Sequence, residues 1–77
     1  MTTDTTSRLT KIVNEVLASN DLDKIESFKP ELRLREDLGF DSLQLAELTV
    51  NIEDEFDIDI FEDGLVNTLG EIHTKLD

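Results

Sequence analysis

The chain has no cysteine, tryptophan or tyrosine, one proline, three glycines and only seven basic residues in 77. Without cysteine there is no disulfide framework and no thiolate metal site, and the redox compartment leaves no mark on the sequence. Seven Lys+Arg stand against 19 Asp+Glu, a formal charge of −12. That balance leaves no basic stripe to displace counterions from a nucleic acid, and nothing to draw the chain to an anionic membrane surface. No apolar run approaches the ~20 residues of a membrane span, and the N-terminus has no signal-peptide apolar core. What is present is a 38% hydrophobic fraction, enough for a modest core and too much for a wholly disordered chain. The length predicts one domain over 1–77 and leaves little chain for an enzyme's own pocket. A start at Met1 and an end soon after the last apolar stripe favour a free-standing protein, with a piece excised from a larger one as the alternative.

The charge is unevenly placed. Residues 1–30 hold five acids and four bases, whereas residues 31–77 hold fourteen acids and three bases. From Glu36 to Thr74 there are twelve acids and no Lys or Arg. A one-signed half points to a surface that meets a basic partner, with attraction acting on encounter rate and orientation. The same self-repulsion predicts modest stabilisation by millimolar Mg²⁺ or Ca²⁺.

Hydrophobic spacing predicts an all-α fold. Leu9, Ile12, Val13, Val16 and Leu17 form one stripe of a helix over about 5–19, preceded by N-cap candidates in residues 1–6 and stopped by Ser19-Asn20-Asp21. Residues 20–41 carry Leu22, Ile25, Phe28, Leu32, Leu34 and Leu38 without a period. They predict a long loop pinned to the core, with a short helical turn near 21–27. A helix from Asp41 to about Asp57 follows, opened by Asp41 and Gln44 in a capping-box relation. Its core stripe is Leu45, Leu48, Thr49, Ile52 and Phe56. Ile58, Ile60, Phe61, Leu65 and Val66 surround an acidic turn, and Thr68-Leu69-Gly70-Glu71 caps a last helix that buries Leu69, Ile72 and Leu76. The expectation is a small four-helix bundle of three main helices and one short one.

The helix after Asp41 carries a second apolar stripe. Leu43, Ala46 and Val50 lie away from the core stripe, ringed by Glu47, Glu53, Asp54 and Asp57. Scattered exposed apolar residues are ordinary, but this set begins one residue after Ser42. There Leu38-Gly39-Phe40-Asp41-Ser42-Leu43 resembles the attachment motif Leu-Gly-x-Asp-Ser-Leu of acyl carrier proteins. Glu47-Leu48, the stretch Ile-Glu-Asp-Glu-Phe over 52–56, Ile60 and the Thr-capped last helix extend the resemblance over most of the chain. It implies that Ser42 carries 4'-phosphopantetheine, installed from coenzyme A by a phosphopantetheinyl transferase, and that the arm's thiol presents acyl groups to fatty-acid or polyketide-type enzymes. The chain would then be a cytoplasmic, monomeric, non-catalytic carrier. The resemblance further implies partner contacts at Asp41, Leu43, Ala46, Glu47, Val50, Glu53 and Asp54, meeting basic surfaces on the transferase and on acyl-transferring and chain-elongating enzymes. It also implies an interior that receives part of the acyl chain. The residues themselves add a physical reason: a serine at a helix start lies near free backbone N–H groups and the positive end of the dipole, which favour a phosphate. Gln44 stands where Asp is frequent in the family, Phe61 stands where Pro is frequent, and the segment between Ile60 and Thr68 is short. These departures leave room for an aminoacyl or other specialised cargo.

Other readings are weaker. His73 is the only histidine, and no nucleophile–base or metal triad assembles around it. Asp57 and Asp59 before Phe61, Glu62, Asp63 and Gly64 have the flavour of a calcium loop, but Phe61 and Glu62 occupy a ligand position and the required glycine position. An acidic helical interaction module without a prosthetic group would share the composition and lack the use of Ser42.

Overall fold

The computed structural model describes residues 5–62, 64 and 66–76. These form three helices, α1 (Thr5–Ser19), α2 (Ser42–Phe56) and α3 (Leu69–Leu76), with no strand beyond one isolated antiparallel bridge between Arg33 and Thr68. The helices lie where hydrophobic spacing places them, and their expected stripes are the buried ones. Leu9, Ile12, Val13, Val16 and Leu17 of α1 pack with Leu45, Leu48 and Ile52 of α2 and with Leu69, Ile72 and Leu76 of α3. Thr49 and Phe56 are half-buried. No charged or polar residue is buried among the described residues. The N-cap candidates Met1 to Asp4 lie outside the described residues, as do Asp63 of the calcium-like loop and Leu65 of the apolar set around the acidic turn.

The short helix expected near 21–27 does not form. α1 ends in a Schellman motif: Asp21 takes φ 59°, Leu22 N–H donates to Leu17 O at 2.8 Å, and Asp21 N–H donates to Ala18 O at 3.3 Å. That turn redirects the chain. Beyond it, the Asn14 side chain takes both backbone groups of Ile25, accepting from its N–H at 2.8 Å and donating to its carbonyl at 3.2 Å. A helix there would need those two groups for itself. Leu22, Ile25, Phe28 and Leu32 instead pack half-buried on the core, while Leu34, Leu38 and Phe40 are buried outright. The expected pinned loop is therefore present, and the helical turn inside it is not.

The second part of this loop runs beside the start of α3. Leu34 N–H donates to Asn67 O, and the otherwise orphaned N–H groups of Leu69 and Gly70 donate to Leu32 O and Pro30 O at 3.0 and 2.9 Å. Thr68 and Glu71 form the expected capping box: Glu71 N–H donates to Thr68 Oγ1, and Glu71 Oε1 accepts from Thr68 N–H. Arg33 turns back onto Glu36 and Asp37. Hydrogen bonds from the Arg33 side chain and then from its backbone N–H hold the Asp37 carboxyl below its ordinary pKa.

α1 and α2 run antiparallel, tied at both ends. Arg8 pairs with Glu55 at 2.7 Å, donates to Glu55 O, and lies 4.3 Å over the Phe56 ring. At the other end Gln44 Nε2 donates to Asn20 Oδ1 at 2.9 Å. His73 sits half-buried, its Nε2 2.9 Å from Thr6 Oγ1 and its ring 5.4 Å from that of Phe28.

Candidate functional attachment site

The loop that delivers Ser42 is held from below. Leu34, Leu38 and Phe40 are buried, and Phe40 N–H donates to Leu34 O at 3.0 Å. Gly39 has φ +80°, a conformation side-chain-bearing residues rarely adopt, and this bend brings the chain out to Asp41. Asp41 is the N-cap of α2. Its Oδ1 accepts from Leu43 N–H at 2.9 Å and Gln44 N–H at 3.4 Å, and Gln44 Oε1 accepts from Asp41 N–H at 3.0 Å. The expected capping box is thus complete. Because the same Gln44 amide donates to Asn20, the cap is also bolted to the end of α1. An aspartate at this position would have no N–H to donate to Asn20 Oδ1 and could not make this bridge.

Ser42 is the first residue of α2 and is exposed. The expectation that free helix-start N–H groups would meet a phosphate there needs correction. Those of Leu43 and Gln44 are already taken by the Asp41 carboxylate, and that of Leu45 donates to Asp41 O at 3.0 Å.

Two hollows flank the exposed side of α2. One, of about 430 Å³, is lined by Arg35, Ser42, Leu45, Ala46, Thr49, Val50 and Phe61. Thr49 Oγ1 donates to Leu45 O at 2.8 Å, so its hydroxyl adds little polarity. Ser42 and Arg35 supply the rest of the groove's polar lining, and Leu45, Ala46, Val50 and Phe61 its apolar lining. The other, of about 310 Å³, is lined by Leu43, Ala46, Glu47, Val50 and Asn51. Leu43 and Val50 are 64% and 58% exposed, the large apolar side chains left outside the core.

Of the residues singled out in the sequence, Leu43, Ala46, Glu47 and Val50 therefore come together around one hollow, with Asp41 and Ser42 at its N-terminal end. Glu53 and Asp54 are exposed one turn further along α2 and line neither hollow. Arg35, Asn51 and, as a groove residue, Phe61 were not legible as site residues. Arg35 reaches the groove from the loop and Phe61 from the turn after α2, and no period in the sequence links them to Ser42.

An exposed hydroxyl at a capped helix start, lining a mainly apolar groove, fits a covalently tethered arm with a charged root and an uncharged body. No group of three or more His, Cys, Asp or Glu that could hold a metal ion occurs among the described residues. No described helix is long and apolar enough to cross a membrane.

Comparison with known proteins shows the family. A family model described as the phosphopantetheine attachment site matches residues 7–72. An acyl carrier protein of Desulforapulum autotrophicum is 46% identical over 57 residues, covering 74% of this chain and 70% of that protein. One of Rickettsia bellii is 44% identical over 48 residues, covering 62% of this chain and 59% of that protein. No solved structure matches. The chain belongs to the acyl carrier proteins of the phosphopantetheine-binding family, whose prosthetic group is a covalently attached 4'-phosphopantetheine.

Proposed function

We propose that Ser42 is the attachment residue and that the chain is an acyl carrier for fatty-acid or polyketide-type biosynthetic enzymes in the cytoplasm. The observation that carries this reading is the exposed hydroxyl of Ser42 at the capped start of α2, where it lines the 430 Å³ groove. In the loading step Ser42 Oγ attacks the pantetheine-bearing phosphorus of coenzyme A. A new phosphodiester P–O bond forms, the pyrophosphate P–O bond breaks, and adenosine 3',5'-bisphosphate leaves. The hydroxyl proton passes to a base supplied by the phosphopantetheinyl transferase, since no described group beside Ser42 is arranged to take it. The group's terminal thiol then supplies thioester chemistry that this cysteine-free chain lacks.

The chain's own residues hold and present. Asp41 and Gln44 fix the start of α2, and the Gln44–Asn20 bridge stops it from fraying. Leu43, Ala46 and Val50, with Glu47 beside them and Glu53 and Asp54 further along the helix, form the partner face. Its apolar centre supplies affinity and its carboxylates supply orientation toward basic partners.

Incubating the apo protein with coenzyme A and a broad-specificity transferase tests the reading. Intact mass should rise by one phosphopantetheinyl group, and S42A should abolish the gain. An unmodified wild-type chain under conditions that load a known carrier would overturn it.

A further inference from the structure

We infer that Arg35 is the counter-charge for the phosphodiester on Ser42, and so a positioning residue for the root of the prosthetic arm. The inference rests on the reading of Ser42 as the attachment residue. A phosphodiester placed there adds a negative charge beside the Asp41 carboxylate, in a stretch with no Lys or Arg from Glu36 to Thr74. The usual compensation, backbone N–H groups at the helix start, is largely drawn off: Asp41 Oδ1 already accepts from both Leu43 and Gln44. A cationic side chain is then the strongest partner the protein itself can offer this charge.

Arg35 is the cationic side chain that lines the groove with Ser42. The two arginines of this loop differ in what they have already. Arg33 and Arg35 flank the buried Leu34, so the loop sends them to different neighbours. Arg33 pairs with Glu36 and Asp37, and both carboxylates raise its pKa. Arg35 is exposed and makes no ion pair among the described residues. The nearest acids of the turn are thus committed to Arg33, and the guanidinium of Arg35 remains available. Its planar fork matches two phosphate oxygens, which a lysine would meet only as a point charge. An exposed pair of this kind contributes little to stability. Its effect is geometric: it holds the arm's root in the groove that Leu45, Ala46, Val50 and Phe61 also line.

³¹P NMR of the loaded protein reads the pairing without any enzyme turnover. Wild type, R35Q and R33Q are each loaded from coenzyme A, with intact mass confirming the single addition. R35Q should shift the phosphodiester resonance and narrow it as the root gains freedom. R33Q should leave it in place, because Arg33 is engaged elsewhere. The wild-type resonance should move toward that of R35Q as salt is raised. A resonance identical in wild type and loaded R35Q overturns the inference. So does an equal shift in R33Q, which would reveal only a general change of charge. If wild type takes up no arm at all, it is the reading of Ser42 that fails, and the pairing falls with it.

Discussion

Gly70 shows how a single residue can be judged by magnitude. It is the second residue of α3, where alanine would ordinarily be better by about 1 kcal/mol. A Cβ there would lie 2.9 Å from Pro30 Cβ and 3.0 Å from Pro30 O, and that same carbonyl accepts the Gly70 N–H at 2.9 Å. The methyl group could be relieved only by pushing the loop off the start of α3 and stretching that bond. Overpacking of this kind costs about 1–3 kcal/mol, more than the propensity gain. Gly70→Ala should therefore lower the melting temperature, by about 4–8 °C for a net loss of ~1 kcal/mol in a domain of this size. A melting temperature equal to or above wild type would show that the loop yields freely. The chain's only proline and one of its three glycines meet at this point. Nothing in the spacing of residues 30 and 70 announces that contact.

At the scale of elements, the helices were legible because each one's evidence is local. The stripes of α1, α2 and α3, the Asp41–Gln44 box and the Thr68–Glu71 box all lie within a few residues of one another. The loop over 20–41 was legible only as a pinned segment. Its backbone is satisfied from a distance, by Asn14 at Ile25 and by the 67–70 stretch at Pro30, Leu32 and Leu34. The same division runs through the site: Ser42 and the Leu43–Ala46–Val50 stripe lie on one helix and could be read, whereas Arg35 and Phe61 join them only once the chain has folded. The exposed stripe on α2 also separates two contributions to docking. Leu43 and Val50 are well exposed, so L43S with V50S should leave the unfolding free energy within about ±0.5 kcal/mol of wild type. If they are the apolar centre of the partner face, transferase kcat/KM on the same double variant should fall by roughly 5- to 30-fold, equivalent to ~1–2 kcal/mol. That loss should be similar at low and high salt. E47Q with D54N should also slow loading, but mainly at low salt, because the Debye length shrinks from ~30 Å at 0.01 M to ~8 Å at 0.15 M. Unchanged loading kinetics in both double variants would remove α2 from the docking surface.

For the whole molecule, a charge of −12 is confined to extents of 30 × 30 × 22 Å, so the folded state repels itself. Ion pairs that offset part of this, Arg8 with Glu55 and Arg33 with Glu36 and Asp37, are solvent-exposed and so individually weak. Cations in solution should therefore stabilise the fold. The manner in which they do so distinguishes a diffuse atmosphere from a bound ion. No metal-holding cluster of acids occurs among the described residues, and Asp59, in the stretch that resembles a calcium loop, spends Oδ1 on the Phe61 N–H at 2.9 Å. Diffuse screening has no preference for ionic radius, whereas a built site separates Ca²⁺, with six to eight oxygen ligands, from Mg²⁺, which demands a compact octahedron. The melting temperature should rise gradually with NaCl, and more steeply with MgCl₂ or CaCl₂. The two divalent curves should superpose and show no break at one equivalent. A plateau at one equivalent of Ca²⁺ that Mg²⁺ does not reproduce would mean a specific site. A flat response to all three salts would mean that self-repulsion does not limit the fold, and that the acids of residues 31–77 act on partners alone.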